Sequence, residues 1–251
     1  MPDPIFAHPR LAEIYDALDS DRGDLDHYVA IVEELGARSI LDVGCGTGTF
    51  ACHLAAMGLD VAGVDPAEAS LEVARGKLSG DRVRWTLGDA AALPPLEVDL
   101  ATMTGNVAQV FVSDADWMAA LGAVRGAIRD SGHLVFEVRD PTVRDWETWT
   151  PERARARTTI PGVGVVESWV EITDVSLPRV SFRSTYRFAS DDAVLTSDST
   201  LRFRERGEIE ASLAASGFVV QEVRGAPDRP GKEFVFIARA DAAPSPPATT
   251  R

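Results

Sequence analysis

Asp42 stands two residues before the first of three closely spaced glycines, in Ser39-Ile-Leu-Asp-Val-Gly-Cys-Gly-Thr-Gly-Thr-Phe50. The apolar run Ile40 to Val43 predicts a buried strand, and Phe50 to Met57 predicts a helix. A glycine turn between strand and helix brings backbone N–H groups close to a nucleotide-like ligand. The glycines Gly44, Gly46 and Gly48, with Cys45 between the first two, are the turn residues that would touch it. Thr49 occupies the position where a dinucleotide fingerprint carries its last glycine. A carboxylate at Asp42 would repel a pyrophosphate and attract a ligand bearing an ammonium and a sulfonium. S-adenosylmethionine (SAM) is such a ligand.

Further acids follow at strand ends. Asp60-Val-Ala-Gly-Val-Asp65 ends roughly 20 residues past the turn, where a βαβ unit delivers a carboxylate to a ribose. Asp65, followed by Pro66, can accept from both ribose hydroxyls. In Gly88-Asp-Ala90, Asp89 can accept from an adenine amino group while a neighbouring N–H, at Ala90, meets a ring nitrogen. The strand Val98 to Met103 runs into Thr104-Gly-Asn106, which sets Thr104, Gly105 and Asn106 beside the reactive end of the ligand. On the acceptor side, Phe136-Glu-Val-Arg-Asp-Pro141 places Glu137 and Arg139 on one side of a strand. Arg139 or Asp140 is then a candidate to orient an acceptor, with Trp146 and Trp149 as pocket walls; an ion pair above packing tryptophans is the equal alternative.

These residues need a scaffold. Strands at 39–43, 60–65, 83–87, 98–103 and 133–138 alternate with helices at 48–57, 67–78 and 115–129, and Gly132 is the expected helix stop. Parallel strands require such crossovers, so the expected fold is α/β with a doubly wound, mostly parallel sheet. Residues 1–35 carry apolar side chains at helical spacing and are expected to form lid helices that bring Tyr15 and Tyr28 near the ligand. Residues 151–204 switch to period-two alternation, as in Val166, Ser168, Val170 and Ile172, which predicts an inserted antiparallel meander. A helix from Glu205 to Ser216 and strands 218–223 and 234–239 complete the main sheet. The expected units are therefore 1–35, the nucleotide-type domain at 36–150 and 205–240, the insertion at 151–204, and a disordered Pro/Ala-rich tail at 241–251.

The motifs Leu41-Asp-Val-Gly-Cys-Gly-Thr-Gly48, Gly63-Val-Asp-Pro66, Gly88-Asp-Ala90 and the Asp99-to-Asn106 strand end resemble the class I SAM-dependent methyltransferases. The resemblance runs from about residue 28 to 140 and resumes over about 206–239. It implies a seven-stranded Rossmann-like sheet, SAM as cofactor, and N-terminal helices that cap the cofactor or acceptor, with Tyr15 and Tyr28 near the ligand or, as the equal alternative, packing on a helix face. The insertion resembles that of small-molecule methyltransferases, including those that methylate amino-sugar nitrogens.

Composition limits the partners. The chain has 251 residues, is 45% hydrophobic and carries a formal charge of −14. That charge disfavours nucleic acid, which is bound through Lys/Arg-rich surfaces. No run approaches the ~18 apolar residues of a membrane span, and Met1 to Arg10 lacks signal-peptide order. Cys45 and Cys52 read as reduced thiols, which fits the cytoplasm. The four histidines, His8, His27, His53 and His133, read as structural, and no cluster has zinc spacing. The expectation is methyl transfer to a small-molecule acceptor, nitrogen favoured over oxygen, with Tyr15, Asn106 and Arg139 as positioning groups and no metal. A homodimer through the inserted sheet is expected because the meander has more alternating apolar positions than one surface hides. The rival readings are a non-catalytic SAM-binding or dimerising module and an NAD(P)-dependent oxidoreductase.

Overall fold

A computed structural model describes residues 1–93 and 95–241; the expected tail beyond residue 241 lies outside them. The chain opens with α1 (Pro4–Ala7), α2 (Pro9–Leu18), a 3-10 turn at Gly23–Leu25 and α3 (Asp26–Glu34). Alternation follows: β1 (Ser39–Val43), α4 (Thr49–Ala56), β2 (Asp60–Asp65), α5 (Glu68–Gly76), β3 (Val83–Leu87), β4 (Val98–Met103), α6 (Asp114–Ala127) and β5 (Ile128–Arg139). After α7 (Pro151–Ala154) come β6 (Ala156–Ile160), β7 (Gly164–Ser176), β8 (Arg179–Phe188) and β9 (Val194–Arg202). The chain returns through α8 (Arg206–Ala215), β10 (Phe218–Gly225) and β11 (Glu233–Ala240).

The main sheet has seven strands in the order β10-β11-β5-β4-β1-β2-β3. The strands β1 to β5 pair in parallel, and β11 runs antiparallel to both neighbours. Every residue of β4 is buried, as is β2 after Asp60, as befits central strands of a parallel sheet covered on both faces. Strand order reverses between β1 and β4, and a crevice opens beyond their carboxyl ends, where open α/β sheets bind ligands.

One boundary differs from the sequence reading. β5 begins at Ile128, which pairs with Val98, so the last residues assigned to the helix at 115–129 belong to the strand. Gly132 is not the helix stop. Ser131 takes the left-handed turn at φ 65°, while a Cβ on Gly132 would sit 2.7 Å from the Asp99 carbonyl oxygen. Close approach to β4, not conformational freedom, requires glycine there.

The insertion is a separate four-stranded antiparallel sheet, β6-β7-β8-β9. Its apolar face is covered from within the chain. Ile5, Leu11 and Ile14 of α1 and α2 pack against Ile160, Val166, Tyr186 and Phe188. Trp146 and Phe203 cover Val180 and Leu201. The apolar surplus that argued for a covering subunit is thus absent on that face; Val175, Leu177 and Val194 remain exposed on its strands and turns. No helix among the described residues is long and apolar enough to cross a membrane.

Candidate cofactor and acceptor cleft

The three turn glycines have left-handed backbones, at φ 68°, 53° and 75° for Gly44, Gly46 and Gly48. Their surroundings separate their roles. A Cβ on Gly44 would lie 2.6 Å from Val107, and one on Gly48 would lie 2.5 Å from the Trp85 ring. A Cβ on Gly46 would meet nothing within 4 Å. Gly44 and Gly48 are therefore glycines because protein packs on them, and Gly46 because it opens onto the cleft.

Asp65 fixes this turn from β2. Its Oδ2 accepts the Gly46 N–H at 2.8 Å and its Oδ1 accepts the Ala67 N–H at 2.8 Å. Burial raises its pKa, and those two bonds act in the opposite direction. Asp42 lies 1% exposed at the end of β1 and accepts from the Thr102 hydroxyl at 3.1 Å. Burial pushes its carboxyl up to about 7, against the Thr102 bond, and the neighbouring Asp65 charge adds to the rise. A cation placed here would restore the ionised form.

One cleft of about 550 Å³ gathers most of the site residues read from the sequence. Asp42, Gly44, Cys45, Gly46, Asp65 and Pro66 line it from β1 and β2. Asp89, Ala90, Thr104 and Gly105 line it from β3 and β4. Tyr15 enters from α2, with burial, then Asp19, pushing its hydroxyl up to about 12. The Cys45 thiol is pushed well up by burial, so its place in the turn is that of a neutral, partly exposed side chain.

Gly48, Tyr28, Asn106 and Arg139 fall outside the cleft lining, as do Asp140, Trp146 and Trp149. Gly48 faces Trp85 and Ala74. Tyr28 is 3% exposed, its ring 4.0 Å from that of His27, and its hydroxyl donates to Glu137. Asn106 is also buried and in the left-handed region, and its N–H donates to the other Glu137 oxygen. Glu137 thus braces the Thr104–Asn106 wall from behind, where Tyr28 and Asn106 were expected to face ligand. Burial pushes the Glu137 carboxyl up to about 7, and its bonds from Tyr28 and Asn106 oppose that. Arg139 turns away to Glu233 at 3.6 Å and to the Trp149 ring at 5.0 Å, while Trp146 sits in the core under the insertion. Glu137 and Arg139 do not pair with each other; each finds its partner on another element.

The cleft also contains residues the sequence reading did not select. Arg22, in the polar stretch after α2, lines it while pairing with Asp24 at 3.0 and 3.1 Å. Thr47 and Thr49 line it and are gripped by Asp16: its Oδ1 accepts their hydroxyls at 2.6 and 3.1 Å, and Lys77 meets its Oδ2 at 2.6 Å. Asp3, Phe6, Phe111, Asp116 and Thr200 form the far half. Nothing local in the sequence marks them, because tertiary packing alone brings α1, α6 and β9 to one opening. Among the described residues none of the four histidines lines the cleft. His8 caps α2, and His133 bonds Gln221 at 2.9 Å.

Residues 40–132 match the family described as a methyltransferase domain. This stretch is similar to methyltransferase domains. It contains the glycine turn and all three carboxylates Asp42, Asp65 and Asp89. The ubiquinone biosynthesis O-methyltransferase of Thiobacillus denitrificans is 42% identical over 117 residues, 45% of this chain and 49% of that one. The cypemycin N-terminal methyltransferase of a Streptomyces species is 28% identical over 145 residues, 56% and 59% of the two chains. The chain spans less than two thirds of the length of these curated relatives. A SAM-dependent methyltransferase of Clostridium acetobutylicum superposes with a TM-score of 0.75 at 15% identity, covering 93% of this chain and 98% of that one. A sugar N-methyltransferase of a Streptoalloteichus species gives 0.68 at 23%, covering 89% and 92%. At such identities the likeness is one of fold: the seven-stranded sheet and its insertion have the Rossmann-like fold of these methyltransferases.

Proposed function

We propose that this protein transfers a methyl group from SAM to a small-molecule acceptor, with nitrogen favoured over oxygen. The observation that carries the reading is the single cleft in which Asp42, Asp65 and Asp89 stand along one glycine turn. The residues fit the cofactor. Space is open at Gly46, and the buried carboxyl at Asp42 forms no salt bridge among the described residues, with Arg22 as a more distant positive charge. When bound, SAM supplies an activated methyl group on a sulfonium.

Asp42 would hold the ammonium and face the sulfonium charge. Asp65 would take ribose hydroxyls with the lone pairs left free by Gly46 and Ala67. Asp89 and the Ala90 N–H would meet adenine, and Arg22 would meet the carboxylate. Thr104 and Gly105 would flank the reactive end, with Tyr15 across the cleft. Asn106 and Arg139 would act from behind, by fixing the wall. Such positioning is worth roughly 7–11 kcal/mol when reacting groups are well oriented.

A nitrogen acceptor is supported by the absence of histidine from the described lining, because an amine lone pair attacks without a strong base. A cytoplasmic location is supported by Cys45 and Cys52, which are free thiols. A homodimer through the insertion would use exposed apolar residues at its ends, Val175 and Leu177 at the β7–β8 turn and Val194 at the opposite end. Light scattering decides that point. Radiolabelled methyl transfer from SAM into a metabolite extract tests the function. Label in small molecules supports it; tight SAM binding without transfer would favour a non-catalytic SAM module.

A further inference from the structure

The cleft does not end at the cofactor residues. A second groove of about 540 Å³ adjoins it, and the two share Met1, Asp3, Val110 and Thr200. The groove runs along β8 and β9, where the polar groups are already matched. Arg183 grips both oxygens of Asp198 at 2.7 and 3.0 Å, and the Ser181 and Thr200 hydroxyls bond each other at 2.8 Å.

Asp3 at the junction is the exception. It is half-buried, and burial raises its pKa; a Ser199 bond and the charge of the amino terminus act the other way, and Asp198 adds to the rise. Among the described residues it forms no ion pair. Its side chain does not cap α1, so the fold does not use it there. Phe6, Val110 and Phe111 supply apolar walls on the cleft side. A partly buried carboxylate that forms no salt bridge among the described residues, is only partly offset by the charge of the amino terminus and lies beside apolar walls selects a positive charge.

We propose that Asp3 is the recognition group for an ammonium on the methyl acceptor, whose body spans the junction from the cleft into the groove beside β8 and β9. This rests on the methyl-transfer reading of the cleft. It goes further by naming the charge of the acceptor and the residue that selects it. Asp3 acts by charge and hydrogen bonding.

The test is calorimetry on the full chain saturated with S-adenosylhomocysteine. Benzylamine, benzyl alcohol and benzoate are titrated in turn; they share a ring and differ in the charge of the head group. Benzylamine is expected to bind about tenfold or more tighter than benzyl alcohol, the scale of a charge-assisted hydrogen bond. Asp3→Asn is expected to erase that preference and leave benzyl alcohol and S-adenosylhomocysteine affinities unchanged. Equal affinities, a preference for benzoate, or an amine preference that survives Asp3→Asn overturns the proposal while the cofactor site stands. Failure of wild type to bind S-adenosylhomocysteine would strike down the methyl-transfer reading and this proposal with it.

Discussion

The Asp65 carboxylate accepts the Gly46 N–H at 2.8 Å, so the acid that ends β2 also holds the turn that follows β1. Its two roles are inseparable. Asp65→Ala is expected to weaken SAM binding by roughly 1.5–3 kcal/mol, the scale of hydrogen bonds to a charged group. It is also expected to lower the unfolding temperature, since the Gly46 and Ala67 N–H groups lose their acceptor. Calorimetry and thermal unfolding read the two effects. Wild-type affinity in Asp65→Ala would remove Asp65 from the site.

Gly46 and Gly48 are expected to respond in opposite ways. Gly46→Ala places its methyl in the open cleft, so binding should suffer more than stability, whose cost is the left-handed strain of about 1–2 kcal/mol. Gly48→Ala drives a Cβ onto Trp85, so stability should suffer more. Denaturant unfolding beside SAM titration of both variants checks this. An intact SAM affinity in Gly46→Val would contradict the placement of the cleft.

Asp42 predicts a pH dependence of binding. With its carboxyl pushed up to about 7 in the free protein, a cationic ligand must displace a proton below that pH. Affinity for SAM should therefore climb as pH rises from about 5.5 to about 7.5, with proton release visible as buffer-dependent heats. Asp42→Asn should flatten the profile and weaken binding. The same raised carboxyl, with Glu137, contributes to stability in the opposite sense. That contribution is complete below the ordinary carboxylate pKa of about 4 and is lost as pH rises through about 7. Glu137→Gln should unfold with a shallower decline over that window than wild type.

The clamp of Asp16 on Thr47, Thr49 and Lys77 ties α2 to the turn. Asp16→Ala is expected to weaken SAM binding about two- to fivefold, a modest effect because the pair is partly exposed. Asp16→Asn should recover part of it by accepting the threonine hydroxyls. Equal affinity in all three proteins would reduce the clamp to a stabilising contact.

The sheet and the cofactor half of the cleft were legible because their signals are local. Apolar runs, a glycine turn and acids at strand ends each announce themselves within a few residues, and strand order then aligns Asp42, Asp65 and Asp89. The acceptor half was not legible, because Asp3, Phe111 and Thr200 meet only through long-range packing. Tyr28 and Asn106 show the limit from the other side. Their types suit a ligand, but the buried Glu137 between them takes both, and nothing in the spacing of residues 28, 106 and 137 reveals that carboxylate. Gly132 was misread because a glycine after a helix can mark a stop or a close approach, and only the neighbouring strand decides.

The central claim is that this cleft holds SAM through Asp42 and its turn. Its most direct test is calorimetric titration of the purified protein with SAM, S-adenosylhomocysteine and NAD at neutral pH, repeated with Asp42→Asn. The account predicts micromolar binding of SAM and S-adenosylhomocysteine, no heat with NAD, and clearly weaker SAM binding in the variant. Absence of SAM binding, or NAD binding of equal strength, would contradict it.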